Sequence, residues 1–254
     1  MKIKFIGVGE AVDEKLPNTS IQVVVEENSD WHCILLDCGP TVPPPFLRSC
    51  PDPERLEAIW ISHFHGDHFF GLPALLLRFQ EMKRKKPLAI IGQQGIAEIV
   101  QKTVGLAYPS LLSKLCFELN FISVEPGQVL NCAAVSWRCA LNAHLRRNLA
   151  VRIEKAGKSL FYNGDGPPTE ETLSLARGAD LAIHEAFRID NAIPGHSTIL
   201  ECIDFGRKAH VSRLALVHME RNERRLRRGE ISRLIHSVCD TEVFLPEPGE
   251  ETLI

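Results

Sequence analysis

Residues 63–68 read His63-Phe64-His65-Gly66-Asp67-His68, directly after the apolar run Ala58–Ser62 and before Gly71-Leu72-Pro73. Four donor side chains in six residues, on a turn at the end of a buried strand, converge on one spot. His63 and His65 share a side and can grip one ion. Asp67 and His68 follow a turn later and can reach a second. Imidazole together with carboxylate suits zinc first, with manganese and iron as alternatives. The plainer alternative is a solvent-exposed polar turn. It leaves unexplained why three histidines and an aspartate pack beside an apolar strand end.

The rest of the chain is ordinary globular material. It has 254 residues, 44% hydrophobic and 24% charged, with a formal net charge of −3. That composition excludes a disordered or fibrous chain. The charge argues against general nucleic-acid coating or membrane-surface binding. A single α/β domain spanning 1–254 is expected, burying roughly 70–75% of its unfolded surface. The opening MKIKFIGVGE lacks a signal-peptide core, and no run approaches 18 apolar residues, so a cytoplasmic protein without membrane contact is expected. The eight cysteines show no CxxC spacing. They read as free, mostly buried thiols; a thiolate metal site is the alternative.

Twelve short runs rich in Val, Ile and Leu read as strands. They are 3–8, 21–26, 33–37, 58–62, 88–91, 121–124, 134–139, 149–154, 160–163, 181–184, 213–218 and 242–245. Pro73 suits the first position of a helix. Ile96, Ile99, Val100, Thr103 and Val104 keep helical spacing, as do Ile231, Leu234, Ile235 and Val238. Strands come first and alternate with helices later. Two sheets packed together with helices outside fit this order better than one doubly wound sheet. The Pro-rich stretch Pro40–Pro45 joins two elements and is too short to act as a linker between domains.

The hexad is the signature of the metallo-β-lactamase superfamily, which the chain resembles along its whole length. The resemblance implies a four-layer αβ/βα sandwich, with two mixed sheets face to face and helices outside. It also implies a ligand set. His63, His65 and His144 hold one metal, Asp67, His68 and His218 the other, and Asp165 bridges them. Taken alone, His144 and His218 would read as capping or surface histidines; their order and strand-end positions reverse that. Within the superfamily, FIGVGEA followed by Pro17-Asn18-Thr19-Ser20, then LLDCG (Leu35–Gly39) and HFHGDHFFGLPALL, resemble the ribonuclease Z branch. His184-Glu185-Ala186 and Gly195-His196-Ser197-Thr198 agree with it. By that resemblance, Glu185 orients His196, and His196 protonates the leaving oxygen. Ser197-Thr198 also reads as a helix N-cap, and His184 as a buried strand residue.

These features imply a dinuclear metal-dependent hydrolase, expected to be a phosphodiesterase. A hydroxide shared by the two ions serves as nucleophile, oriented by Asp67, and the Glu-oriented His196 is the general acid. Hydrolysis of a lactone or thioester is the alternative chemistry. A non-catalytic metal-binding module is the alternative of another class.

Two departures argue against processing of tRNA 3′ ends. His144 and Asp165 are 21 positions apart, with no room for the tRNA-gripping arm of that branch. Gly166-Pro167-Pro168 follows Asp165 where that branch carries Thr-Arg-Pro. A small phosphodiester or ester-like substrate fits better, with RNA still open and a homodimer implied by the resemblance. Two basic runs bear on substrate. Lys83–Lys86 reads as a solvated helix end. Arg221–Arg228 is divided between a solvated loop and an anion contact. His32, His210, His236 and the cysteines carry no assigned role.

Overall fold

The computed structural model describes residues 1–27 and 30–254. Fourteen strands are described: β1 Lys2–Gly7, β2 Ser20–Glu27, β3 Asp30–Leu36, β4 Leu56–Ile61, β5 Leu88–Gly92, β6 Leu119–Ser123, β7 Leu130–Cys132, β8 Val135–Leu141, β9 Leu149–Lys155, β10 Lys158–Tyr162, β11 Leu181–Glu185, β12 Arg213–Val217, β13 Glu242–Phe244 and β14 Glu251–Leu253. The helices are α1 Pro43–Ser49, α2 Gly66–Phe69, α3 Leu72–Glu81, α4 Ile96–Ala107, α5 Leu111–Lys114, α6 Glu170–Ala176, α7 Ile199–Lys208, α8 Arg221–Leu226 and α9 Arg228–His236. All twelve expected strands are present. Two three-residue strands at sheet edges, β7 and β14, are not expected from the sequence, because three residues carry too little alternation to read.

The strands form two seven-stranded sheets, ordered β14-β1-β2-β3-β4-β5-β6 and β13-β12-β11-β10-β9-β8-β7. Each is half antiparallel and half parallel. In the first, β14 to β3 pair antiparallel and β3 to β6 parallel. In the second, β7 to β10 pair antiparallel and β10 to β13 parallel.

The two-residue period of a strand explains the layers. On β4, Ala58 and Trp60 face the second sheet, while Ile59 and Ile61 face helices. The inter-sheet core joins Ile3, Phe5, Trp60, Trp137, Ile183 and Val217, and Trp60 stacks on Trp137 at 6.0 Å between ring centroids. A second cluster seals the outer face of the first sheet under α1, α3 and α4. A third seals the second sheet under α7 and α9. This is the αβ/βα sandwich expected from the sequence.

Several local signals act as read. Thr198 caps α7 through a reciprocal pair with Glu201. Ile96, Val100 and Val104 are the buried face of α4. Pro73 occupies the second rather than the first position of α3, behind Leu72. The Pro-rich stretch does more than connect, since Pro43 opens α1. Between β9 and β10 lies only the turn Ala156-Gly157, both residues at positive φ. Its tightness leaves no space for an inserted arm.

In the first basic run Lys83, Lys85 and Lys86 are exposed as expected, and only Arg84 departs from a solvated state. Arg84 is 1% exposed and donates to the carbonyls of Pro53, Leu56, Lys86 and Pro87. Its guanidinium also lies over the rings of Phe79 and Phe117. The eight cysteines are free thiols, and five of them are buried.

Candidate metal centre

The site forms where the C-terminal ends of strands from both sheets meet, mostly in their parallel halves, the usual ligand position for such sheets, with the antiparallel β8 added. β4 ends in Ser62 and the hexad, β8 leads to His144, β10 to Asp165, β11 to Glu185 and β12 to His218.

The hexad is seated by the turn that follows β3. Cys38 donates its N–H to the carbonyl of His68 (2.7 Å), and Gly71 donates to Cys38 (2.9 Å). Gly39 makes this docking possible, because a Cβ there would lie 1.9 Å from the carbonyl oxygen of Asp67. Asp37 adopts φ 58° and His218 φ 55°. For residues with a side chain this left-handed backbone costs on the order of 1–3 kcal/mol, so the surroundings must hold it. The His218 N–H bonds to the carbonyl of Val8.

Two donor clusters result. The first brings together His63, His65, His144 and Asp165; the second brings together Asp67, His68, His218 and Asp165. Asp165 belongs to both. In the first, His65 Nδ1 lies 3.0 Å from His63 Nε2 and 3.1 Å from His144 Nε2. In the second, Asp67 Oδ2 lies 3.2 Å from the Nε2 atoms of both His68 and His218. Asp165 Oδ2 lies 3.3 Å from His68 Nε2, 3.5 Å from His218 Nε2 and 3.9 Å from His63 Nε2.

These spacings fit a pair of cations. Metal–nitrogen bonds of about 2.0–2.1 Å on a tetrahedron put ligand nitrogens roughly 3.3 Å apart. His68 Nε2 is buried without a hydrogen bond, although it faces two carboxylates. A cation between them satisfies all three. The far side of the same ring is already committed, with Nδ1 2.8 Å from Asp37. His144 Nδ1 is likewise committed, 2.6 Å from the carbonyl of Gly195. Such outer contacts select the tautomer that leaves the other nitrogen free.

The electrostatics divide the two clusters. Burial holds His63 well below its ordinary range and lowers His65 too, helped by neighbouring histidines. Both therefore present neutral nitrogens. Burial opposes charge on His218, but Asp165 and Asp67 outweigh it and lift the ring to about 9. His68 is raised against its burial by Asp165, Asp37 and Asp67. Asp67 and Asp165 are held below the usual carboxylate range despite burial, chiefly by His68 and His218. The second cluster thus holds protons in places where a metal would put positive charge.

Glu185 and His196 stand beside these clusters. Glu185 is fully buried, and its Oε1 accepts the N–H groups of Gly166 and Ser197, each at 2.9 Å. His196 Nδ1 lies 3.3 Å from the same oxygen. Burial opposes charge on His196, yet Glu185 raises it above its ordinary range. Glu185, His196 and His218 themselves fall within reach of one another. His184 points away, fully buried, with Nδ1 on the carbonyl of Glu185 and on Cys202 Sγ.

The structure also reveals Asp37, which sequence reasoning passed over. Its buried carboxylate accepts from the Ser62 N–H (2.8 Å), Ser62 Oγ (2.8 Å), His68 Nδ1 (2.8 Å) and Tyr162 OH (2.6 Å). The one signal in the sequence is an aspartate at a strand end in LLDCG. Asn142 and Asn148 both donate to the carbonyls of Asn163 and Asp165, tying the His144 loop to the Asp165 loop.

The second basic run is neither a loop nor a free anion site. It forms α8 and the start of α9, and its five arginines all pair with carboxylates. Arg221 meets Glu10, Arg224 meets Glu247, Arg225 meets Asp13 and Glu14, Arg227 meets Asp190, Glu223 and Glu230, and Arg228 meets Glu247.

A family model described as beta-lactamase superfamily domain matches residues 32–219. Ribonuclease Z of Enterococcus faecalis is 27% identical, over 86% of this chain and 87% of its own. Among solved structures, a metallo-beta-lactamase fold protein of Bacillus subtilis superimposes with a TM-score of 0.82 at 21% identity, covering 99% of this chain and 98% of its own. The short form of human tRNase Z gives 0.80 at 23% identity, covering 100% and 99%.

Proposed function

The chain belongs to the beta-lactamase superfamily, and on that premise we propose that it is a phosphodiesterase that uses two divalent cations. The observation that carries this reading is the sharing of Asp165 between two donor clusters, with Glu185 and His196 alongside. His63, His65 and His144 would hold one ion, Asp67, His68 and His218 the other, and Asp165 both. When bound, the ions supply a nucleophilic oxygen at neutral pH and offset charge on the phosphoryl oxygens. The mixed imidazole and carboxylate set favours zinc over harder ions.

The remaining work falls to protein groups. Asp67, turned toward both His68 and His218, orients the attacking oxygen as an acceptor. His196, lifted above its ordinary range by Glu185, is the group placed to deliver a proton to the departing alkoxide. An alkoxide needs that proton far more than a nitrophenolate does. A thioester expels a thiolate that has little need of such a proton, and the similarity to a ribonuclease Z favours a phosphodiester over a lactone.

The substrate is proposed to be a small diester. The tight turn at Ala156-Gly157 and the paired arginines of α8 and α9 leave little to grip a folded RNA, although the similar E. faecalis protein is a ribonuclease Z. Among the described residues no helix is long and apolar enough to cross a membrane. A cytoplasmic homodimer completes the proposal, with sedimentation equilibrium as the check on the dimer.

The test is metal analysis combined with a substrate panel: a bis-aryl phosphate, a dinucleotide, a cyclic nucleotide, a lactone, a thioester and a precursor tRNA. Two equivalents of metal with diester cleavage support the reading. Cleavage of only the lactone or thioester overturns it. Accurate processing of the precursor tRNA overturns the assignment of a small substrate.

A further inference from the structure

We infer that Phe187 is a positioning residue for His196, setting the plane of the imidazole so that its proton points at the leaving oxygen. The inference rests on the phosphodiesterase reading for its kinetic consequences and on geometry for the rest.

Glu185 alone does not fix the His196 ring. Its Oε1 already accepts two backbone N–H groups, from Gly166 and Ser197. His196 Nδ1 is close at 3.3 Å but has no well-formed hydrogen bond, and Glu185 Oε2 has no partner among the described residues. A contact of this kind restrains one atom and leaves the ring free to turn about it. The backbone holds the His196 Cα, with its N–H on the Ile193 carbonyl at 3.1 Å after Gly195 at φ 82°, but this does not supply the missing restraint on the plane of the ring.

Phe187 supplies it. Its ring stacks on His196 with centroids 4.6 Å apart and planes inclined by 29°. It also lies 6.2 Å from His218, whose ring is within 10° of parallel to His196. Phe187 is itself held firmly, with its N–H donating to the Ser197 carbonyl at 2.9 Å, so it and the His196 loop move together. The Arg188 guanidinium lies over the Phe187 ring at 5.8 Å and pairs with Glu223 at 3.3 Å. The aromatic face is thus anchored to α8. An offset stack of this sort favours one ring plane over others. Proton transfer depends steeply on that plane, because acid catalysis needs the donor within hydrogen-bond reach and aligned.

The variants are Phe187→Leu, which keeps apolar bulk without a ring, and Phe187→Tyr, which keeps the ring. With metals loaded, Phe187→Leu should cut kcat on a dinucleotide about tenfold, a part of the roughly 10²–10⁴-fold that a general acid supplies. It should slow a nitrophenyl diester much less and leave KM for the dinucleotide little changed. Phe187→Tyr should restore the dinucleotide rate. In the metal-free protein, the ring-current displacement of the His196 imidazole proton signals should shrink in Phe187→Leu to what the His144 and His218 rings leave, and persist in full in Phe187→Tyr. Equal slowing of both substrates would mark a merely structural role and overturn the inference. Unchanged His196 signals in Phe187→Leu would overturn it as well. Should the parent protein cleave no diester, the phosphodiesterase reading fails, and the imidazole signals still decide whether Phe187 sets the ring.

Discussion

Replacing Asp37 by Asn keeps its shape and removes its capacity to accept from every donor around it. One Asp37 oxygen takes Ser62 Oγ, His68 Nδ1 and Tyr162 OH, and the other takes the Ser62 N–H. An amide has only one acceptor oxygen. Facing it toward the three side-chain donors turns the NH2 against the Ser62 N–H, leaving a buried backbone donor unpaired. That costs about 1–3 kcal/mol. Loss of the charged acceptor weakens the remaining bonds, which brings the sum to about 2–4 kcal/mol. For a chain of this length each 1 kcal/mol moves Tm by about 2–4 °C, so a fall of roughly 5–15 °C is expected by calorimetry of the metal-free protein. The same substitution frees the His68 ring to rotate or change tautomer. Metal affinity should then drop about 10–100-fold, the usual cost of losing such an outer partner. The loss should fall chiefly on one of two equivalents, since His68 bonds Asp37 directly while His63 reaches it only through Ser62 Oγ, 3.0 Å from His63 Nδ1. Isothermal titration of zinc into the metal-free protein measures this. An unchanged Tm together with two equally tight equivalents would refute the reasoning.

Three further outcomes are expected. His196→Ala should retain both metals by elemental analysis yet lose about 10²–10⁴-fold in turnover on an alkyl diester; cleavage at the parental rate would remove His196 from its role. In the metal-free protein, His218 titrates near 9 against an ordinary 6.5. Its contribution to stability is therefore complete below about pH 6.5 and is lost as pH rises through 9, worth roughly 3 kcal/mol for that group. Metal must displace the same proton, so the stabilisation gained on adding zinc should grow over the same window; thermal unfolding with and without zinc from pH 6 to 9 checks both trends, and a metal increment that shrinks with pH would contradict them. Arg84→Met should lower stability by about 2–5 kcal/mol, because it strands the carbonyls of Pro53, Leu56, Lys86 and Pro87; urea unfolding measures this, and the metal content of the folded variant should match the parent.

Much of the site could be read from the chain. Ligand atoms in this fold sit at strand ends, and a strand end leaves a local mark: an apolar run stopping at a polar residue. His63, Asp165 and His218 all carry it. Asp37 carries the same mark, but its partners Ser62, His68 and Tyr162 lie 25, 31 and 125 positions away. Phe187 gives no signal either, since a phenylalanine after a strand is ordinary core material until His196 is seen against it. Arg84 and the arginine run misled in the other direction. A row of arginines reads as a charged surface, because the sequence does not reveal which carboxylates meet it. Glu10, Asp13 and Glu14 come from more than 200 positions away to pair with Arg221 and Arg225.

The sequence by itself determined the kind of chemistry. Donor identity and strand period are local properties, so the hexad, the alternating strands and the Thr198 cap specify candidate ligands, layers and a helix start without reference to distant contacts. Only the tertiary structure decided how those donors are held. It brought Asp165 between two clusters, placed Asp37 behind His68, set Phe187 on His196, and turned the arginine run into ion pairs. Each of these depends on side chains from different strand ends meeting across two sheets. Their register is fixed by the packing of a whole inter-sheet core, and no short stretch of chain encodes it.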